Sequence, residues 1–442
     1  MSSRPYDIVI IGGGVTGAAI LYVLAKYTNV KRVALVERNQ WAGAVNSAPH
    51  SNSQTVHDGG TETNYGREHA EKAKRGAGIL CSYLKTRQDP FLFQKRHRMV
   101  IGIGEDDIQV LKNHLEKTGD LYPDLSLIGP EELTTIEPNV MKGRDPRQTI
   151  AALISDEGYI VNFQRLAETF IREAQECRGD FPVYYGSDVR TIRREDGCFT
   201  IVTNTHTLRS RAIELAAGSY SLYFAQQLGY GMQYAILPMI GRFFSVSNGV
   251  PLLKGKVYRT QREGVPFVNV HGDPDIVAMT ETRFGPTTKP CMLMELHRYK
   301  TIPDFLRLPL VSWKGLRALI TIIREKKMLG YTLRNFLYDL PVVGPYFFLR
   351  EVRPIIPTIR YSDLKRRRED GGIRPQVVDL EKQTLLMGDA TLVGEHCIFN
   401  TTPSPGATVC LANAKRDAEQ LVSFLGEDTR FYRDQFEKDL ER

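Results

Sequence analysis

Asp7-Ile8-Val9-Ile10-Ile11 is a nearly continuous run of branched apolar residues, the pattern of a strand buried on both faces. Gly12-Gly13-Gly14-Val15-Thr16-Gly17 interrupts it, and Ala18 to Lys26 continues with the composition of a helix. A second strand is expected over Val33-Ala34-Leu35-Val36, ending in Glu37. Residues 40–66 then lose all periodicity and turn polar, with Asn46, Ser47, His50, Asn52, Gln54, Thr55 and His57 among them.

Helical spacing returns at Phe163, Leu166, Ala167, Phe170, Ile171 and Ala174, with Asn162 as the expected N-cap. Short strands are expected at 183–185, 189–192, 199–202 and 213–215. The last runs into Ala216-Ala217-Gly218-Ser219, a small-residue turn that suits close approach to a ligand and equally an ordinary strand-to-helix connection. Residues 236–300 suggest a second unit rich in β-structure. A final helix is expected from about Val409 to Leu425, opened by a glycine at Gly406.

Length changes the picture first. A chain of 442 residues exceeds the ~100–200 of a usual single domain, so two interleaved or consecutive domains are expected. The apolar fraction of 42% is enough for a large core and excludes a disordered chain. No apolar run reaches the ~18–20 residues of a spanning helix, and the N-terminus enters a strand with no signal-peptide core. The six cysteines contain no CxxC pair, and the nine histidines no HExxH, so reduced thiols and no metal are expected.

The spacing Gly12-x-Gly14-x-x-Gly17, with Glu37 20 residues beyond, has a mechanical reading. Gly12 makes the tight turn, Gly14 lets backbone approach a pyrophosphate, and Gly17 allows helix and strand to pack closely. The helix N-terminus offers unpaired N–H groups to the phosphates, and Glu37 can accept from ribose hydroxyls. The irregular polar stretch after Glu37 is unlike the alternating continuation of a nicotinamide-binding fold. It favours FAD over NAD.

Charge matters only where it gathers. Lysine and arginine total 58 against 51 acids, a modest excess. Between Arg307 and Arg334, however, seven cations face only Glu325, interleaved with Leu308, Leu310, Trp313, Leu316 and Ile320. Basic and bulky apolar residues together suit a helix lying on anionic lipid. A core-packed helix with a solvated basic face is the plainer alternative, and no nucleic-acid motif accompanies the charge.

Several segments together carry a resemblance. They are Asn52-Ser53-Gln54-Thr55-Val56-His57, Glu62-Thr63-Asn64-Tyr65, Ala216 to Ser221, His271-Gly272-Asp273-Pro274-Asp275, Thr282-Arg283-Phe284-Gly285-Pro286, Gly372-Ile373-Arg374-Pro375-Gln376 and Thr402 to Thr408. In this order over nearly the whole chain, they resemble the FAD-dependent malate:quinone oxidoreductases. Pro49-His50-Ser51 and His57-Asp58-Gly59-Gly60 depart from that family's pattern, at positions expected near the choice of 2-hydroxy acid.

The resemblance implies a glycine-oxidase/D-amino-acid-oxidase type of flavoprotein. Its fold class is α/β, α+β overall, with a Rossmann-like FAD-binding domain interleaved with a mainly antiparallel substrate domain carrying helices. Residues 1–90, 150–235 and 365–442 are assigned to the first, and 91–149 and 236–364 to the second. Residues 298–368 are the expected membrane-facing segment.

The implied activity is oxidation of (S)-malate to oxaloacetate, with electrons passed to membrane quinone. The implied place is the cytoplasm, peripherally on the inner face of the membrane. A soluble oxidase of another 2-hydroxy acid, such as L-2-hydroxyglutarate, or of an amino acid, with oxygen as acceptor, is the alternative.

Expected cofactor contacts are Gly12, Gly14, Val15, Thr16, Gly17, Glu37 and Arg38, then Asn52, Ser53, Gln54 and Thr55. Val189, Ala217, Gly218 and Gly372 follow, with Pro405, Gly406, Ala407 and Thr408 at the last helix. His271 and His57 are the candidate bases, since imidazole exchanges protons at cellular pH. His271 is preferred because the corresponding histidine of the resembled family sits in the substrate domain. Arg283 and Arg374 are the candidate carboxylate clamps. Asp273 and Asp275 are expected as turn residues around Pro274.

Overall fold

A computed structural model describes residues 4–261, 270–308, 310, 312–324, 326–386, 390–401 and 406–441. Pro405 and its neighbours from Thr402 lie outside the described residues, as does Glu325.

Three sheets organise the chain. The first has Tyr6–Ile11 at its centre, flanked in parallel by Val33–Val36 and Thr207–Leu215, with Val183–Tyr184 and Cys397–Asn400 continuing in parallel on either side. Helices Val15–Tyr27, Phe163–Cys177 and Cys410–Leu425 cover one face through Leu21, Phe170 and Leu421, all fully buried. On the other face Val9, Ile11, Ala34 and Val36 pack with Phe199, Leu222 and Ile236, and burial on both sides explains the unbroken apolar runs of Tyr6–Ile11 and Val33–Val36. An antiparallel meander, Val189–Glu195, Cys198–Thr203 and Thr207–Leu215, hangs from the sheet. Asn162 caps its helix as expected, accepting from the Arg165 N–H at 3.1 Å.

The second sheet has seven strands in the order Phe244–Ser247, Glu281–Gly285, His271–Pro274, Lys256–Arg259, Phe93–Ile103, Ile150–Val161 and Ser126–Ile128. All its pairings are antiparallel except that between Lys256–Arg259 and Phe93–Ile103. Strand Ile150–Val161 therefore extends this sheet past residue 149. A third, four-stranded sheet pairs Tyr234–Gly241 with Gly372–Asp379 over eight residues, joining segments far apart in sequence.

Helices Trp313–Arg324, Lys326–Tyr338 and Val343–Val352 form a separate cluster. Ala318 and Ile322 face the core beside the first sheet, whereas Tyr338, Phe348 and Val352 face that of the second. Their outer faces expose Trp313 (82%), Leu316, Ile320, Leu333, Phe336, Leu337 and Tyr346. No helix among the described residues is long and apolar enough to cross a membrane.

Candidate active site

A cavity of about 560 Å³ opens at the C-terminal ends of the central parallel strands. There the chain must leave the sheet and turn, so loop backbone is concentrated at its floor. Gly12 (φ +113°) and Gly17 are required by packing. A β-carbon on Gly12 would stand 2.4 Å from the Ala216 carbonyl oxygen, and one on Gly17 2.0 Å from that of Gly12. Gly14 is different. Among the described residues beyond its chain neighbours, Ser47 Oγ at 3.5 Å is the one atom within 4 Å of its β-carbon position, and Gly14 lines the cavity. The residues present thus fit a dinucleotide whose phosphates lie against bare backbone.

The N–H of Val15 donates to Ser47 Oγ at 3.0 Å, a contact that sequence reading missed because Ser47 sits in the aperiodic loop. Glu37 accepts from the Gly13 N–H at 2.6 Å and from the N–H and side-chain amide of Asn39, both at 2.7 Å. Its carboxylate is therefore oriented by backbone at the cavity edge.

Of the expected cofactor contacts, Gly12, Gly14, Val15, Thr16, Glu37 and Arg38 line the cavity, with Asn52, Ser53, Thr55, Val189, Ala217, Gly218, Gly406, Ala407 and Thr408. Gly17, Gln54 and Gly372 do not. Gln54, at φ +56°, turns away: it donates to Asp275 Oδ2 at 3.1 Å and accepts from the Ile276 N–H at 2.9 Å. Gly372 is a packing position, where a β-carbon would meet the Ser51 carbonyl at 2.4 Å.

Among the four candidate catalytic residues, His57 and Arg374 border the cavity, whereas His271 and Arg283 do not. His57 Nδ1 lies 2.8 Å from Glu62 Oε1. Burial works to raise the Glu62 carboxyl, but the hydrogen bond and charge of His57, with the charge of Arg98, outweigh it and hold it at about 2. The His57 backbone N–H donates to Thr408 Oγ1 at 3.1 Å, tying this loop to the turn before helix Cys410–Leu425. Arg374 Nη1 is buried without a hydrogen-bond partner among the described residues. Burial lowers that guanidinium, and the nearby Arg283 charge adds to the effect, bringing it to about 10.

Behind Thr55 stands a buried charged network. Lys256, 1% exposed, donates to Thr55 Oγ1 at 2.6 Å and lies 3.1 Å from Asp273 Oδ1. Asp273 Oδ2 is 3.2 Å from His271 Nε2, and the His271 ring lies 4.7 Å from that of Tyr258. Burial favours a neutral Asp273, yet the charges and hydrogen bonds of Lys256 and His271 prevail and hold its pKa well below the usual carboxylate range. Asp273 is thus a strand residue inside the sheet, not the expected turn residue. Its partners are Lys256 on the neighbouring strand and His271 two residues earlier on its own. Asp275 is the turn residue, accepting from the N–H groups of Val277 and Ala278. Arg283 lies 3.4 Å from Asp275 and donates to the Pro49 carbonyl at 2.8 Å, so it braces the polar loop.

The glycine cradle, the parallel sheet above it and the antiparallel sheet beside it define a flavin-dependent oxidoreductase. The model of the FAD dependent oxidoreductase family (DAO) matches residues 7–345. The solved structure of dithionite-reduced L-alpha-glycerophosphate oxidase from Mycoplasma pneumoniae, with FAD bound, superposes with a TM-score of 0.67 at 19% identity, covering 95% of each chain. The fold class is thus the α+β architecture of that family, and the cofactor is FAD.

The probable malate:quinone oxidoreductase of Campylobacter jejuni is 34% identical over 100% of both chains. Malate:quinone oxidoreductase of Helicobacter pylori strain J99 is 34% identical over 99% of this chain and 100% of its own. Within the FAD-dependent oxidoreductases, the chain belongs to the malate:quinone oxidoreductase family.

Proposed function

We propose that this chain oxidises (S)-malate to oxaloacetate and passes the electrons to membrane quinone. The observation that carries the reading is a dinucleotide cavity edged by a histidine and by a buried arginine whose Nη1 has no hydrogen-bond partner among the described residues, in a chain 34% identical over its full length to malate:quinone oxidoreductases. Residues 1–90, 150–235 and 365–442 are assigned to the FAD-binding domain, built on the first sheet, with strand Ile150–Val161 pairing into the seven-stranded sheet. The seven-stranded sheet and the helices after residue 298 form the substrate side.

FAD, when bound, supplies the acceptor for the hydride from malate C2. The rest falls to side chains. His57, aligned through Nδ1 by Glu62, accepts the hydroxyl proton through its other ring nitrogen. Arg374 binds a carboxylate, and burial keeps water from competing for its donors. Arg283 assists by holding the Pro49–His50 backbone and adding positive charge near Arg374. His271, joined to Thr55 through Asp273 and Lys256, is the second candidate base and fixes the wall behind the site.

The exposed apolar face of helix Trp313–Arg324, bordered by Lys314, Arg317 and Arg324, rests on the inner face of the cytoplasmic membrane, where quinone is dissolved. Anaerobic mixing with malate tests the assignment. His57→Asn is expected to keep FAD and slow flavin bleaching at least ~100-fold, the scale of lost general-base catalysis. Unslowed bleaching in His57→Asn with severe slowing in His271→Asn would transfer the base to His271. For Arg374→Lys, half-maximal bleaching is expected to need ~10-fold more malate, as paired donors become one point charge.

A further inference from the structure

The dinucleotide end of the cavity has a wall that the glycine motif does not provide. Met294, Glu295, Arg298, Lys300, Thr301, Asp304 and Arg307 line it, opposite the loop that carries Glu37 and Arg38. The segment is internally tied: Thr301 donates to the Arg298 carbonyl at 2.7 Å and accepts from the Met294 N–H at 3.2 Å. Two contacts fasten it across the cavity mouth. Arg38 forms an ion pair with Glu295, which also lies 3.1 Å from Arg298. The Tyr220 hydroxyl donates to Asp304 Oδ2 at 2.9 Å, while the Arg38 guanidinium lies 5.5 Å from the Tyr220 ring centre.

The segment has a charge surplus of the sign a pyrophosphate needs, with Arg298, Lys300 and Arg307 against Glu295 and Asp304. It also leads into the exposed helices. Met294, Phe305, Leu308 and Leu310 share one packed cluster with Ala318 and Ile322. These last two form the inner face of helix Trp313–Arg324, whose outer face exposes Trp313, Leu316 and Ile320. Segment and helix thus belong to one close-packed core, and such interiors transmit displacement rather than absorb it.

We propose that residues 294–307 are a latch across the bound dinucleotide, closed by Arg38–Glu295 and Tyr220–Asp304, which links flavin retention to the seating of helix Trp313–Arg324 on an anionic lipid surface. The inference rests on the FAD and lipid-surface readings above and adds a coupling between them. Coupling is reciprocal: lipid that favours the closed latch holds flavin, and flavin favours lipid binding.

The test uses holoenzyme, diluted and followed by the rise of free-flavin fluorescence. It is run alone, with phosphatidylcholine vesicles, and with vesicles containing three parts in ten phosphatidylglycerol. The anionic vesicles are expected to slow FAD release about fivefold. The double variant Glu295→Gln/Asp304→Asn is expected to release FAD about tenfold faster, and to respond little to the vesicles while still co-sedimenting with them. Wild-type protein that co-sediments with unchanged release overturns the coupling, and a double variant that retains FAD like wild type overturns the latch. Failure to co-sediment sinks the lipid reading and the coupling with it, whereas protein purified without flavin sinks the cofactor reading instead.

Discussion

The glycine cradle lines the cavity and the charged network behind Thr55 is set back from it, and the two handle charge in opposite ways. The cradle uses no cationic side chain at the glycine turn itself. It presents backbone N–H groups, and the core beneath it is made of Ile8, Ile10, Ala18, Leu21 and Leu35, all fully buried. The wall buries whole charges: Lys256, Asp273 and Arg283 are each at most 3% exposed. A pyrophosphate, whose charge stays fixed while the chemistry proceeds elsewhere, can be held by neutral dipoles, which need no desolvated counter-ion. A reaction that moves a proton and binds a dicarboxylate needs ionisable groups whose charge responds.

The comparison breaks most readily at Asp273. Removing it as Asp273→Ala strands Lys256 in the interior, and the loss expected in denaturant unfolding is on the order of 3–5 kcal/mol. Adding Lys256→Met should recover much of that loss. A double variant no more stable than the single would show that the pair does not act as one unit.

On the cradle side no charge is at stake, only space. Gly17→Ala sets a methyl 2.0 Å from the Gly12 carbonyl, so a loss of about 3 kcal/mol is expected together with weaker FAD binding. Gly14→Ala meets no protein atom closer than 3.5 Å. It should unfold like wild type yet bind FAD poorly in a fluorescence titration, and tight binding would remove Gly14 from the phosphate site.

The smallest expected effect concerns an exception on the apolar side. Glu214, fully buried on strand Thr207–Leu215, has neither carboxylate oxygen hydrogen-bonded among the described residues. Burial raises its pKa well above 4.5, and the Asp417 carboxylate adds to the shift. A raised acid binds its proton more tightly in the folded state. Its stabilising contribution is therefore full below 4.5 and is lost as pH rises through the folded value. Glu214→Gln cannot titrate, so its apparent melting temperature should gain on wild type as pH is raised from 5 to 8. Curves that stay parallel would place a neutralising partner beside Glu214.

The cradle was legible from the chain because its determinants are local. Strand, glycine turn, helix and acid lie within residues 7–37, and each enforces its geometry on its neighbours. The segment Val183 to Leu215 was equally readable, as short alternating strands separated by turns. The charged network was not. Lys256 reads as one more lysine, and the Asp273-Pro274-Asp275 sequence has the look of a turn. Pairing of Lys256–Arg259 with His271–Pro274, and of the latter with Glu281–Gly285, is what buries those charges together. Gln54 looked like a polar cofactor contact for the same reason. Its left-handed backbone, visible only in the fold, turns it towards Asp275.

From its residues alone, this protein was determined to have a dinucleotide turn, to prefer flavin to nicotinamide and to carry a helical stretch with uneven positive charge. These are properties of short windows, where spacing, side-chain shape and charge act directly on the backbone. Tertiary structure alone decided which polar groups reach the cavity, putting His57 and Arg374 on its surface and His271 and Arg283 behind it. It also brought residues 294–307 against Arg38 and Tyr220. Such pairings are selected by the burial of three sheets against one another, a free-energy term summed over distant segments that no single stretch of chain contains.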